Sequence, residues 1–119
     1  LVGSEMCIRD RLHEKAYLNA YTYYKTGKYK SAIVAFKNAL KQYPESKRRE
    51  EIMYLIVDSG YRLASNSISE KQTDRYLSML DSYLSFKEEF PESTHIKSLD
   101  RMAQQARDYL DRNNKDNNI

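Results

Sequence analysis

The chain has 119 residues with 20 Lys+Arg against 17 Asp+Glu, a formal charge of +3, and 40% hydrophobic residues. Both charge signs are interspersed rather than gathered into the positive stripe that a nucleic-acid footprint requires, so no nucleic-acid partner is expected. No apolar run approaches the roughly 20 residues needed to span a bilayer, and only three glycines and two prolines punctuate the chain, which favours long helices with short connections.

The first eleven residues differ from the remainder of the chain. They carry the sole cysteine, Cys7, and no apolar pattern that continues past Leu12. The string Glu-Met-Cys-Ile-Arg-Asp at 5–10 reads as translated adapter, the DNA joined to gene fragments for sequencing. Residues 1–11 are therefore expected to be non-native, with the native N-terminus missing. With Cys7 set aside, no cysteine remains for a disulfide, a thiolate nucleophile or a zinc site.

From Leu12 the apolar residues recur at helical spacing. Ala16, Ala20 and Tyr23 share a face of a first helix expected over 13–26, and Tyr23 is assigned to the core. After Gly27 a second helix, 29–42, aligns Ala32, Ile33, Phe36, Ala39 and Leu40 and runs on to Tyr43, where Pro44 ends it. Ser46 is placed to cap a third helix, 47–65, whose inward stripe is Ile52, Leu55, Ile56, Ser59 and Leu63. Ser59 and Gly60 are small enough to admit a close neighbour. The stretch Ala64–Asp74 interrupts the pattern, which resumes in a fourth helix, 70–90, at Tyr76, Met79, Leu80, Tyr83, Phe86 and Phe90. A fifth helix, 94–112, carries Ile96, Leu99, Ala103, Ala106 and Leu110. The helical domain thus spans 12–113, and the polar residues 114–119 are expected to form a disordered tail.

The chain is built twice over. Tyr43-Pro-Glu-Ser46 and Phe90-Pro-Glu-Ser93 are near-duplicates, each closing one helix and preceding another. A tetratricopeptide hairpin needs a small residue on its first helix, an aromatic three later, a small residue nine beyond on the second helix, an aromatic four on, and a proline eight after that. Ala20, Tyr23, Ala32, Phe36 and Pro44 meet every interval, with Gly27 relaxing the turn between the helices. In the second unit Met79, Tyr83 and Pro91 take the corresponding places. Because 47 residues separate Pro44 from Pro91, its helices or its connection must be longer by a turn or more. The fold class is all-α, with tetratricopeptide-like hairpins of five helices stacked as an α-solenoid fragment.

Catalytic constellations are not found. His13 and His95 are isolated, there is no phosphate-binding glycine loop, and Glu50, Glu51, Glu88, Glu89, Asp108 and Asp111 fall among Lys and Arg as solvated charge. No enzyme activity, cofactor or metal is expected. The pattern most open to a binding role is Tyr17, Tyr21 and Tyr24 at i, i+4 and i+7, a quarter-turn around from Ala16, Ala20 and Tyr23 and followed by Lys25. Tyrosine combines rigid apolar area with a polar tip, which suits partner recognition on a concave wall, and an equal alternative is packing against a preceding helix. These tyrosines are expected to be partly exposed. Lys28, Lys30, Lys37, Lys41, Lys47, Arg48 and Arg49 form a basic edge expected to be mainly solvated, with Lys28 and Lys30 acting as rim charges in a binding surface.

Across Ala16–Leu110 the sequence resembles the BamD (ComL-like) family of outer-membrane lipoproteins, most closely at Gly27–Phe36, at the two Pro-Glu-Ser turns and in the Leu63–Gln72 connection. The resemblance implies a tetratricopeptide scaffold, lipid-tethered to the periplasmic face of the outer membrane through a segment absent here. It also implies barrel-assembly partner proteins and unfolded outer-membrane protein substrates as partners. Two other readings stay open: a periplasmic cell-envelope coordinator built of the same repeats, and a repeat segment of a larger enzyme. Deleting residues 1–11 is expected to leave the midpoint of thermal unfolding unchanged within error; a clear drop would show that the segment packs.

Overall fold

The computed structural model describes residues 8–117; residues 1–7, Cys7 among them, and 118–119 lie outside the described residues. Five helices follow one another: α1 (Ile8–Lys25), α2 (Tyr29–Gln42), α3 (Arg49–Ser65), α4 (Ser69–Glu89) and α5 (Ile96–Asn117). Each packs on the next, α3 also touches α5, and the array is elongated, 68 × 28 × 19 Å. The architecture is the all-helical, tetratricopeptide-like stack that the spacing predicts.

The turns explain why the helices stop where they do. Gly27 sits at φ +80°, in the left-handed region where glycine carries no Cβ penalty. Its N–H bonds to Tyr24 O at 3.1 Å and that of Lys28 to Tyr23 O at 2.8 Å, the paired bonds of a Schellman ending. The two Pro-Glu-Ser turns repeat each other bond for bond. Ser46 N bonds to Tyr43 O at 3.1 Å and Ser93 N to Phe90 O at 3.2 Å. The Ser46 and Ser93 hydroxyls each accept the backbone N–H two residues on, at 3.1 Å in both cases. Ser46 therefore caps the turn ahead of α3 rather than the helix itself, whose Ncap Arg48 makes no side-chain cap bond.

Helix ends differ from expectation for local reasons. Helix α1 starts at Ile8, inside the segment assigned as non-native, because Arg, Asp and Leu propagate a helix whatever their origin and each added residue gains a backbone bond. Ile8 there is 74% exposed, and the Arg9–Glu45 ion pair, 3.7 Å, joins two solvated side chains. Helix α5 likewise extends to Asn117, through most of the expected tail. The interruption at Ala64–Asp74 shrinks to residues 66–68, so the longer second unit is accommodated by α4, whose 21 residues exceed the 14 of α2 by two turns.

Two apolar cores share α3. Ile52, Leu55 and Ile56 join Tyr17, Ala20, Ala32, Phe36 and Ala39 on one side. Val57 and Ala64 join Met79, Tyr83, Phe86, Leu99, Ala103 and Ala106 on the other. Gly60 lets α4 approach: a Cβ there would lie 3.3 Å from Met79 Cβ. One core assignment is corrected. Tyr23 is 42% exposed, and the inward face of α1 is Tyr17, Ala20 and Tyr24, because that side meets both α2 and the α3 seam whereas Tyr23 lines only a shallow depression with Lys30 and Val34 of α2.

The two ends of the array are unlike. Through Asn114, α5 puts its apolar residues inward and presents Lys97, Arg101, Gln104, Arg107 and Asp108 to solvent. At the other end Leu12, Tyr23 and Val34 remain about half exposed.

Ala20 and Ala32 are both fully buried in the first core. Ala32→Leu is expected to overpack it and cost about 1–3 kcal/mol; denaturant melts superimposable on the parent's would contradict this packing.

Candidate protein-interaction surface

Tyr17, Tyr21 and Tyr24 form a ladder along α1, with ring centroids 5.8 and 5.7 Å apart, extended by Tyr29 at 5.8 Å from Tyr24. The i, i+4, i+7 spacing puts them on one helix face. Their surroundings correct the expected exposure for Tyr17 alone. Tyr17 is 5% exposed, packed near Phe36 and under the Arg48 guanidinium, 4.4 Å from the ring centre. Tyr21 and Tyr24 are half-buried. Within this chain the ladder packs against α2 and α3 of the same array.

The strongest tie is polar. Tyr24 Oη donates to Asp58 Oδ2 at 2.6 Å, and Arg62 Nε, one turn along α3, donates to the same oxygen at 2.8 Å. Asp58 is 1% exposed, so both bonds are charge-assisted in a low-dielectric setting. Burial and then the Asp58 carboxylate push the Tyr24 phenol well above the usual tyrosine range, while Asp58 raises the Arg62 guanidinium. Tyr17 is pushed up to about 12 by burial and next by the Glu51 charge, against which Arg48 pulls down.

Arg48 and Arg49, expected as part of a solvated basic edge, pair in opposite directions. Arg48 reaches back to α1, donating from Nη2 to Glu14 Oε1 at 2.6 Å and from Nε to Oε2 at 3.2 Å, and also meets Glu51 at 3.5 Å. Arg49 reaches forward to Glu89 at the end of α4, where it holds the Glu89 carboxyl below its ordinary range. Glu50 accepts the Ser93 hydroxyl at 3.2 Å. Glu14 and Glu50 tie one unit to the next and Glu89 ties α4 to α3, so these carboxylates are not merely solvated. His13 packs tilted against Tyr43 at 4.4 Å and His95 stacks on Tyr54 at 3.9 Å, so both histidines fill aromatic seams.

The six candidate binding residues fall on two surfaces. Lys25 and Lys28 lie exposed at the C-terminal end of the tyrosine ladder, with Tyr21 the ladder residue least committed to hydrogen bonding. Lys30 is exposed on another side, with Val34. Asp58 and Arg62 were missed in the sequence, although an acidic residue inside the apolar run Tyr54–Ala64, with Arg at i+4, was the available signal. Among the described residues, no cluster of His, Cys, Asp or Glu is placed to hold a metal.

The sequence model of the YfiO family, described as outer membrane lipoprotein, matches residues 9–115. The chain belongs to this family. That agrees with the BamD-like resemblance and covers all five helices, so these repeats are the family's own fold. The comparison with individually curated proteins returns no match.

Removing the Tyr24 hydroxyl takes one of two donors from a buried carboxylate. Tyr24→Phe is expected to destabilise this YfiO-family chain by about 1.5–3 kcal/mol, measured by urea unfolding, with helicity retained. An unchanged midpoint would mean that the bond contributes nothing net.

Proposed function

We propose that the chain is a non-enzymatic protein-interaction scaffold of the machinery that assembles β-barrel proteins in the outer membrane, working at its periplasmic face. Family membership over 9–115 carries the reading, because it joins an outer-membrane lipoprotein description to nearly the whole chain. The geometry supports it. Arg48–Glu14 and Tyr24–Asp58 tie the first hairpin to the second and Arg49–Glu89 ties α3 to α4, so a surface on this frame can be matched to barrel-assembly partners or to unfolded outer-membrane protein segments at little conformational cost.

Within this reading, Tyr21 with Lys25 and Lys28 is the recognition surface on α1, and Tyr17 and Tyr24 hold its shape. Tyrosine at an interface centre and lysine at its rim divide the work: the first sets residence time, the second the encounter rate.

The test is Tyr21→Ser combined with Lys25→Glu and Lys28→Glu in the full-length lipoprotein. Helicity is expected to be unchanged, and affinity for the barrel-assembly partner's periplasmic domains to fall by about 1–2 kcal/mol for the tyrosine, with a weaker salt dependence of the association rate. Undiminished binding of both partner domains and unfolded substrate would remove this surface from the scaffold's working face.

A further inference from the structure

A second surface lies on the side of the array away from the tyrosine ladder. Between α2 and α4, with α3 as floor, runs an open trough of two lobes, about 300 and 210 Å³, that share Lys37, Ile56 and Ser82. Met53, Ile56 and Leu63 make its floor apolar. Met53 and Leu63 are half-buried and Ile56 lies buried between them, so the floor offers apolar area to another apolar surface.

The two walls differ, and the difference specifies the occupant. On α4 the wall is Ser78, Ser82 and Ser85, at i, i+4 and i+7, which leaves a lane without bulk. From Arg75 to Ser85 it runs about 15 Å, room for roughly three helical turns. On α2 the wall carries Lys30 and Lys37, continued along the same helix face by Lys41. All three lysines are exposed, and among the described residues none has a carboxylate within ion-pairing distance. Asp81, across the trough, pairs with none of them. Both walls are helices whose backbone groups are internally bonded, so an extended strand laid here would find no ladder partners, whereas a helix brings its own backbone bonds.

We propose that the trough docks one amphipathic helix of a partner protein, its apolar i, i+3, i+7 stripe set on Met53, Ile56 and Leu63 and its carboxylate-bearing flank turned to Lys30, Lys37 and Lys41. The proposal rests on the scaffold reading only in supposing a protein partner. It uses a face that the Tyr21, Lys25 and Lys28 substitutions leave intact, so the two can fail separately.

The test uses the purified chain and two synthetic helical peptides of about 18 residues, five turns. Both carry the same leucine stripe; one is flanked by glutamates on one side, the other by lysines at those positions. Titration is expected to show binding of the glutamate peptide and, by comparison, about tenfold weaker binding of the lysine peptide. Lys30→Glu, Lys37→Glu and Lys41→Glu together should invert that preference. Ser82→Phe, which fills the lane, should abolish binding of both peptides while circular dichroism stays that of the parent. Because the lysines are exposed, the charge-reversed variant keeps the experiment decisive if Ser82→Phe fails to fold. Absence of binding, or binding indifferent to both variants, overturns the proposal. So does a dimer of the chain in analytical ultracentrifugation that the charge-reversed variant dissolves, which would make the occupant a second copy.

Discussion

Helix α3 is buried on two sides at once, and the rest of the array is arranged around that constraint. Its residues from Leu55 to Gly60 are all buried, so no solvent-facing row interrupts them. A helix this enclosed would ordinarily be apolar all round, yet it carries Asp58. The carboxylate is tolerable because Tyr24 arrives from α1 and Arg62 from the next turn to satisfy it. Asp58 thereby favours the face of α1 that turns inward: rotating α1 to bury Tyr23 would withdraw Tyr24 and leave the buried carboxylate with Arg62 alone. The register of the first hairpin against the second is thus set by a polar pair, with apolar packing filling in around it.

The arginines at the start of α3 extend the same logic to its end. They are consecutive, so their side chains diverge, and one grips Glu14 of α1 while the other grips Glu89 of α4. Half-exposed ion pairs of this kind stabilise little individually, but bidentate geometry fixes direction. Together with the stacked His95 and Tyr54, they tie α1, α4 and the turn before α5 to α3. Such ties hold the two proposed interaction faces, the α1 ladder end and the α2/α4 trough, on one connected array.

What the sequence disclosed was whatever depends on spacing along one helix pair. Ala20, Ala32, Phe36, Met79 and Tyr83 are buried as their intervals require, Gly27 adopts the positive φ that its turn demands, and the duplicated Pro-Glu-Ser strings become duplicated hydrogen-bond sets. What stayed hidden depends on where a third helix lies. Tyr23 obeys the hairpin spacing but faces out, and Tyr17 departs from it but is buried, because α3 covers one flank of α1 and no interval within α1 encodes that. Arg48 and Arg49 looked like neighbours of Lys47 in a basic run; only their partners 34 and 40 residues away distinguish them. The trough had no sequence signature, since its two walls belong to helices that are not adjacent in the chain.

The contrast between the polar outer face of α5 and the half-exposed Leu12, Tyr23 and Val34 gives the array a polarity of growth. A further hairpin laid against α1 would find apolar side chains ready to be covered, and each would gain by leaving water. One laid against the outer face of α5 would have to desolvate Lys97, Arg101 and Arg107 unless it brought carboxylates of its own. The α1 end therefore offers an added helix more apolar area than the outer face of α5 does, and the two faces of the array are not interchangeable.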